Sequence, residues 1–243
     1  MKRILTIAFL ICILPILSAQ SANKELTQEE LLELMDKHRD TVVPLPDEHI
    51  FDGMKMYNAD EVNLSENRMS ATDLNGNPIT GVITLIDEPN RKEMRAFKNG
   101  YHEGYNLQRN DDRTYLINFK KGEKNPILLY QEFWGNQLIH ETQTDIGYYR
   151  RYNEAGKLIW DAFKNDDGKN IIRGYDKNGE KTIELNTFVH SAICFLKNGT
   201  QRNATREEAE RFLDEQEKEV SKSFPREDMR IEPDYEFDFS CKE

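Results

Sequence analysis

Gly147-Tyr148-Tyr149-Arg150-Arg151-Tyr152-Asn153-Glu154-Ala155-Gly156-Lys157-Leu158-Ile159-Trp160 holds two β-prone runs either side of a turn. Aromatic residues and arginines fit a pleated, half-buried surface, and Ala155-Gly156 supplies the cheap positive φ a tight hairpin needs. Working outward, turn signals recur in two interleaved series. One runs Asn75-Gly76, Asn99-Gly100, Lys121-Gly122, Thr144-Asp145 and Asp167-Gly168; the other runs Pro89-Asn90, Asp111-Asp112, Gly135-Asn136, Ala155-Gly156, Asn178-Gly179 and Asn198-Gly199. Each series steps by about 20–24 residues, the spacing of a repeat architecture.

Between the turns lie eleven runs suited to pairing, from Val82–Ile86 and Glu93–Phe97 through Tyr148–Tyr152 to Thr182–Thr187 and Ala192–Leu196. The simplest arrangement is a long antiparallel meander, one hairpin per repeat, with turns alternating between its two sides. A closed barrel or sandwich is the competing arrangement, since its strands also recur at such intervals.

Units such as Gly147 to Trp160, and Lys98-Asn99-Gly100-Tyr101-His102-Glu103-Gly104-Tyr105, resemble MORN-variant repeats, the tandem hairpins of bacterial proteins labelled YwqK-type antitoxins. The resemblance spans about Leu74 to Leu185. A second glycine follows the turn at Gly104, and Asn125 replaces it in the next unit. The resemblance implies a hairpin fold and a scaffold or binding role, and it carries over no catalytic residue.

A helix is expected at each end of the repeats. Thr27 and Glu30 form a capping box ahead of Leu31, Leu34, Met35 and His38, with Pro44 and Pro46 beyond. Thr205 and Glu208 form a second, ahead of Ala209, Phe212, Leu213, Gln216 and Val220, ending before Pro225. Its other face, with Glu207, Glu210, Asp214, Glu217 and Lys218, reads as solvated. The expected fold is mainly β: repeated antiparallel hairpins over about 69–200, a helix and extended linker over 20–68, and a helix and tail over 201–243, the helices covering the ends of the sheet.

The chain has 243 residues, 33 Lys plus Arg against 44 Asp plus Glu, a net charge of −11 and mean hydropathy of −0.78. That balance excludes a multi-span helical membrane protein and a non-specific nucleic-acid binder. Residues 1–19 have a basic start at Lys2 and Arg3, a short apolar run from Ile4 to Leu17 and small residues at Ser18 and Ala19, as in a secretory leader. Cleavage before Gln20 would take the charge from −11 to −13. It would leave Cys194 and Cys241, which export predisposes to form a disulfide pinning the tail to the domain. Asn63-Leu64-Ser65, Asn198-Gly199-Thr200 and Asn203-Ala204-Thr205 match the glycosylation pattern and read as chance matches in an Asn-rich chain.

The residues do not assemble a catalytic set. His190 and Cys194 are the best base–nucleophile pair, yet four positions of strand separate them by about 13 Å. No serine-nucleophile elbow, phosphate loop or zinc spacing occurs. Paired carboxylates, as at Asp111-Asp112, Asp166-Asp167, Glu207-Glu208 and Asp234 with Glu236 and Asp238, fall on turns, a helix and the tail. Asp166-Asp167-Gly168-Lys169-Asn170 departs from a calcium loop in its early Gly and missing terminal Glu.

Aromatic residues are enriched in the middle of the array, where they serve either as the packing residues of the repeat, the simpler reading, or as a binding platform. Trp134, Tyr149, Arg151 and Trp160 are the candidate binding residues, with Tyr148, Tyr152 and Arg150 beside them, on the sheet side that the helices leave open. Tyr149 and Trp160 are expected to face each other across the 153–156 turn. The sequence thus points to an exported, non-enzymatic binding or scaffold module of a bacterial envelope, with no cofactor or metal and with a protein, peptide or glycan partner. Two other readings are an immunity protein against a toxin acting outside the inner membrane, and an envelope hydrolase using paired carboxylates.

Overall fold

A computed structural model describes residues 27–122, 126–165, 168–223 and 241. Residues 1–19, Asp166-Asp167 and the tail acids Asp234, Glu236 and Asp238 lie outside the described residues. The structure is mainly β, a 13-stranded meander sheet with two helices.

Eleven strands follow one another antiparallel and pair in chain order: β4 (Gly81–Glu88), β5 (Arg91–Lys98), β6 (Tyr101–Asn110), β7 (Arg113–Phe119), β8 (Ile127–Trp134), β9 (Gln137–Gln143), β10 (Tyr148–Tyr152), β11 (Leu158–Lys164), β12 (Asn170–Tyr175), β13 (Lys181–Asn186) and β14 (Ser191–Phe195). These are the eleven runs expected from the alternation. The sheet is open, so the meander is the arrangement adopted instead of a closed barrel.

Its edges are two three-residue strands. β1 (Met56–Asn58) pairs parallel to β4, and β15 (Gln201–Asn203) pairs with β14. Short edges limit the template that unpaired strands offer to other chains. A separate pair, β2 (Val62–Leu64) and β3 (Ala71–Asp73), forms a small second sheet. The 20–68 segment is therefore more than helix and linker: it contributes β1 and β2, and the large sheet begins before residue 69 in the sequence.

The helices lie on the faces of the sheet, not across its edges. α1 (Gln28–Asp40) starts at Thr27, whose Oγ1 accepts from Glu30 N–H at 3.2 Å while Glu30 accepts from Thr27 N–H at 2.7 Å. Leu31 and Met35 bury against Tyr148, Phe163 and Ile171. The chain then continues through Pro46, whose carbonyl accepts from Arg109, to Phe51, which packs on Val82, Met94, Ala96 and Leu107. α2 (Arg206–Ser223) has the Thr205–Glu208 capping box, and Phe212 enters the core with Trp160, Ile172, Ile183 and Cys194 on the opposite face. On that same face β2 and β3 bring Val62 and Ala71 over Ile83 and Phe97.

Candidate functional site

Cross-strand partners share a face, so the register traces columns of side chains across the sheet. One column runs Glu93, Gln108, Tyr115, Glu132, His140, Arg151, Trp160, Gly174, Ile183, Cys194 and Arg202, one residue per strand from β5 to β15. Its neighbour runs Arg95, Asn106, Ile117, Tyr130, Thr142, Tyr149, Ala162, Ile172, Leu185 and Ala192. Beyond Trp160 and Ala162 both columns turn apolar, and Phe212 of α2 covers them. Before Arg95, Ile83 is covered by Val62 and Ala71. Between these two covered ends, across β5 to β10, the columns are polar and aromatic apart from Ile117.

This strip is organised by ion pairs. Glu93 Oε1 lies 2.5 Å from Arg95 Nη2 and accepts from Gln108 at 3.4 Å. Glu132 meets Arg113 at 2.6 Å through one oxygen and Arg151 at 4.0 Å through the other. Arg113 also stacks 4.6 Å over the Trp134 ring, whose Nε1 donates to Asp112. Tyr130 lies 6.5 Å from Tyr115 and 5.4 Å from His140, centroid to centroid. Nε2 of His140 pairs with Thr142 Oγ1 at 3.2 Å. Among the described residues, the Tyr130 hydroxyl, His140 Nδ1 and Asn106 Oδ1 are buried with no hydrogen-bond partner. Burial, aided by Arg151, holds the His140 imidazole neutral with its pKa down at about 3. Burial and the Glu132 carboxylate push the Tyr130 phenol upward.

Three of the four candidate binding residues belong here: Trp134 at the end of β8, Tyr149 and Arg151 on β10. The fourth does not. Trp160 is 1% exposed beneath Phe212, so it is core and not a contact surface. The expected Tyr149–Trp160 pairing also fails: Tyr149 sits opposite Ala162, and Trp160 opposite Arg151. The turn closes one residue wider, from Asn153 N–H to Lys157 O, and a bulge after Arg151 shifts the register once more. The parity of the faces survives, so the rings are diagonal neighbours. Tyr115, Tyr130, Glu132 and His140 were not singled out from sequence; they sit on the same parity as the four candidates, but only the register shows that they align.

Chemically the strip offers paired donors and acceptors, not an acid–base couple. Glu93 and Glu132 stand three strands apart, roughly 14 Å from the strand spacing, beyond the separations used in glycoside hydrolysis. His190 and Cys194 do not meet as nucleophile and base, because Cys194 is bonded to Cys241, their Cα atoms 5.9 Å apart. Glu208 lies against that disulfide, but the bonded sulfurs leave no thiolate for a metal. Instead Glu208 pairs with Arg202 at 2.7 Å, which with the Thr205 bonds holds its carboxyl well below the usual range. No described helix is long and apolar enough to cross a membrane.

No family model matches the chain, and no curated protein does. Among solved structures it is similar to a point mutant of S. aureus TarM in complex with fondaparinux, alpha-GlcNAc-glycerol and UDP, at 11% identity and a TM-score of 0.21, covering 46% of this chain and 21% of that one. A further TarM structure matches at 13% identity and the same TM-score of 0.21. The chain thus spans about a fifth of the length of the structures it matches. At that TM-score they carry no argument about this chain.

Proposed function

We propose that the chain is an exported, non-enzymatic binding or scaffold module of a bacterial envelope, which receives a peptide or glycan partner on the strip across β5 to β10. The observation that carries this reading is the change of character along one face: apolar and covered at both ends, polar and aromatic between. The leader-like residues 1–19 support export, and the hairpin meander supports the likeness to MORN-variant repeats.

The experiment is affinity capture from envelope extracts with immobilised residues 20–243, run beside a Tyr115→Ala/Trp134→Ala variant that retains the wild-type circular dichroism. A species retained by the wild type and lost by the variant is expected. Equal retention by both places the contact elsewhere, and release of a substrate-derived product would replace binding with catalysis.

A further inference from the structure

Resting on the reading of the strip as a contact surface, we propose that its ligand is a neutral glycan. The argument starts from charge. In a chain of net charge −11, the twelve side chains of the two columns from β5 to β10 contain two carboxylates, Glu93 and Glu132, and two guanidinium groups, Arg95 and Arg151. At the adjoining end Arg113 is balanced by Asp112, which holds the Trp134 indole. The strip is electrically balanced and selects neither a polyanion nor a polycation.

What it presents instead is donors beside acceptors. A carboxylate–guanidinium pair gives a sugar hydroxyl something to donate to and something to accept from within one residue's reach. Glu93 with Arg95, and Glu132 with Arg113, provide two such sets, the carboxylates buried and the guanidinium groups partly exposed beside them, with Gln108 between them. The partnerless atoms beneath agree in kind: Asn106 Oδ1 accepts, the Tyr130 hydroxyl does both, and His140 Nδ1 does either by tautomer. Groups of that mixed character suit hydroxyls, or waters bridging to them. The half-buried rings of Tyr115, Trp134 and Tyr149 add flat apolar faces for the C–H side of a pyranose.

A peptide is less well served. Peptide recognition draws on a free strand edge or on pockets for apolar anchors. β5 to β10 are paired on both sides, and the two columns hold a single aliphatic side chain, Ile117.

Affinity electrophoresis of residues 20–243 through soluble neutral polysaccharides (dextran, xylan and a β-1,3-glucan), with polygalacturonate and polyglutamate alongside, tests the proposal. At least one neutral polysaccharide should retard the protein. Its apparent Kd should change less than about twofold between roughly 0.05 and 0.5 M NaCl, since no net charge is being screened. Trp134→Ala should weaken retardation at least tenfold with its melting temperature retained, and Glu132→Gln/Arg113→Gln provides a second, charge-free probe of the same set. Retardation by the polyanions alone, or by no polysaccharide, overturns the glycan. If capture from envelope extracts still depends on Tyr115 and Trp134, the binding surface survives that failure and the ligand class alone is wrong.

Discussion

Arg173 faces Asp161 directly across the β11–β12 pair, and its guanidinium engages both carboxylate oxygens, Nε to Oδ1 at 2.8 Å and Nη2 to Oδ2, with both side chains buried. The pair is one step of a third column, on the opposite face from the strip. Met94, Leu107, Leu116 and Gln131 lead into Glu141, Arg150, Asp161, Arg173 and Glu184, a ladder of alternating charge. Tyr148 and Tyr175 add their hydroxyls to Asp161. α1 closes the ladder from above. Asp36 reaches Arg173 at 2.6 Å, and Arg150 donates to the carbonyls of His38, Arg39 and Thr41 at the helix C-terminus. A cation at that end satisfies carbonyls that the helix itself leaves open. Helix and ladder complete each other's hydrogen bonding, which fixes where α1 docks.

Arg150 therefore has a larger effect on stability than a surface arginine. Arg150→Met strands Glu141, whose carboxylate it meets at 2.5 Å with both side chains 1% exposed, and frees the α1 carbonyls. Breaking one partner of such a pair costs about 3–5 kcal/mol. Urea unfolding should show that loss in Arg150→Met, and Glu141→Gln/Arg150→Met should recover much of it. If the single variant stays within about 1 kcal/mol of wild type, the ladder is not holding α1.

Two buried histidines make the fold acid-sensitive. His102 is held between the rings of Phe97 and Phe119, at 5.6 and 4.3 Å, with neither nitrogen partnered among the described residues. Burial, and then Arg95, holds its pKa down at about 4, beside about 3 for His140. In the unfolded chain both take up protons near pH 6.5. Between those limits the unfolded state binds more protons, so this contribution is whole above about pH 6.5 and is lost as pH falls toward 4. Urea midpoints measured at about pH 7.5, 6 and 5 should decline in that order. His102→Phe should flatten the decline, and it should raise stability at neutral pH by about 1–2 kcal/mol by removing two orphaned polar atoms. An unchanged pH slope in the variant would remove His102 from the account.

The strands were legible because turn chemistry and alternation agree at each hairpin from Gly81 to Phe195. The three-residue strands were not: Met56–Asn58, Val62–Leu64, Ala71–Asp73 and Gln201–Asn203 are too short to show a period, and tertiary contacts define them. Of the proposed strip, Trp134, Tyr149 and Arg151 are visible in the sequence as candidates, because aromatic and arginine clustering is local. Trp160 is a packing residue and not part of the strip, and its burial depends on Phe212, 52 positions away in the chain. The charge ladder was illegible for a related reason. Glu141, Arg150, Asp161 and Arg173 occupy the polar half of an alternating pattern, which ordinarily means the solvent side. Only α1 lying over that face makes them interior.

Gly174 sets how closely α2 approaches the sheet. It follows Trp160 in the first column, and a Cβ there would lie 2.7 Å from Phe212 Cε2 and 2.8 Å from Ile183 Cγ2. Gly174→Ala should cost about 1–3 kcal/mol by overpacking. The loss should couple to Phe212: in Phe212→Leu, which draws the ring away, the same alanine should cost clearly less. Thermal melts of the four proteins in a double-mutant cycle measure this, and strict additivity would mean that the glycine answers to Ile183 alone.

The Cys194–Cys241 bridge closes the same end covalently. Cys194 is fully buried in the column beneath α2, and Cys241 Sγ lies 3.4 Å from the Thr182 carbonyl on β13. The bridge spans 47 positions of sequence, including α2. A loop of that length carries about 4 kcal/mol of closure entropy in the unfolded state. Cys194→Ala/Cys241→Ala should lose about 2–4 kcal/mol, the upper part if the strands adjust without strain. Cys194 is inaccessible but Cys241 is only half-buried, so a thiol reductant attacks at the Cys241 sulfur; incubation of the folded wild type with reductant should lower its melting temperature, and the double variant should ignore it. Melting curves that coincide for wild type and double variant, in the absence of reductant, would show that α2 is held by Phe212 and the Arg202–Glu208 pair without help from the bridge.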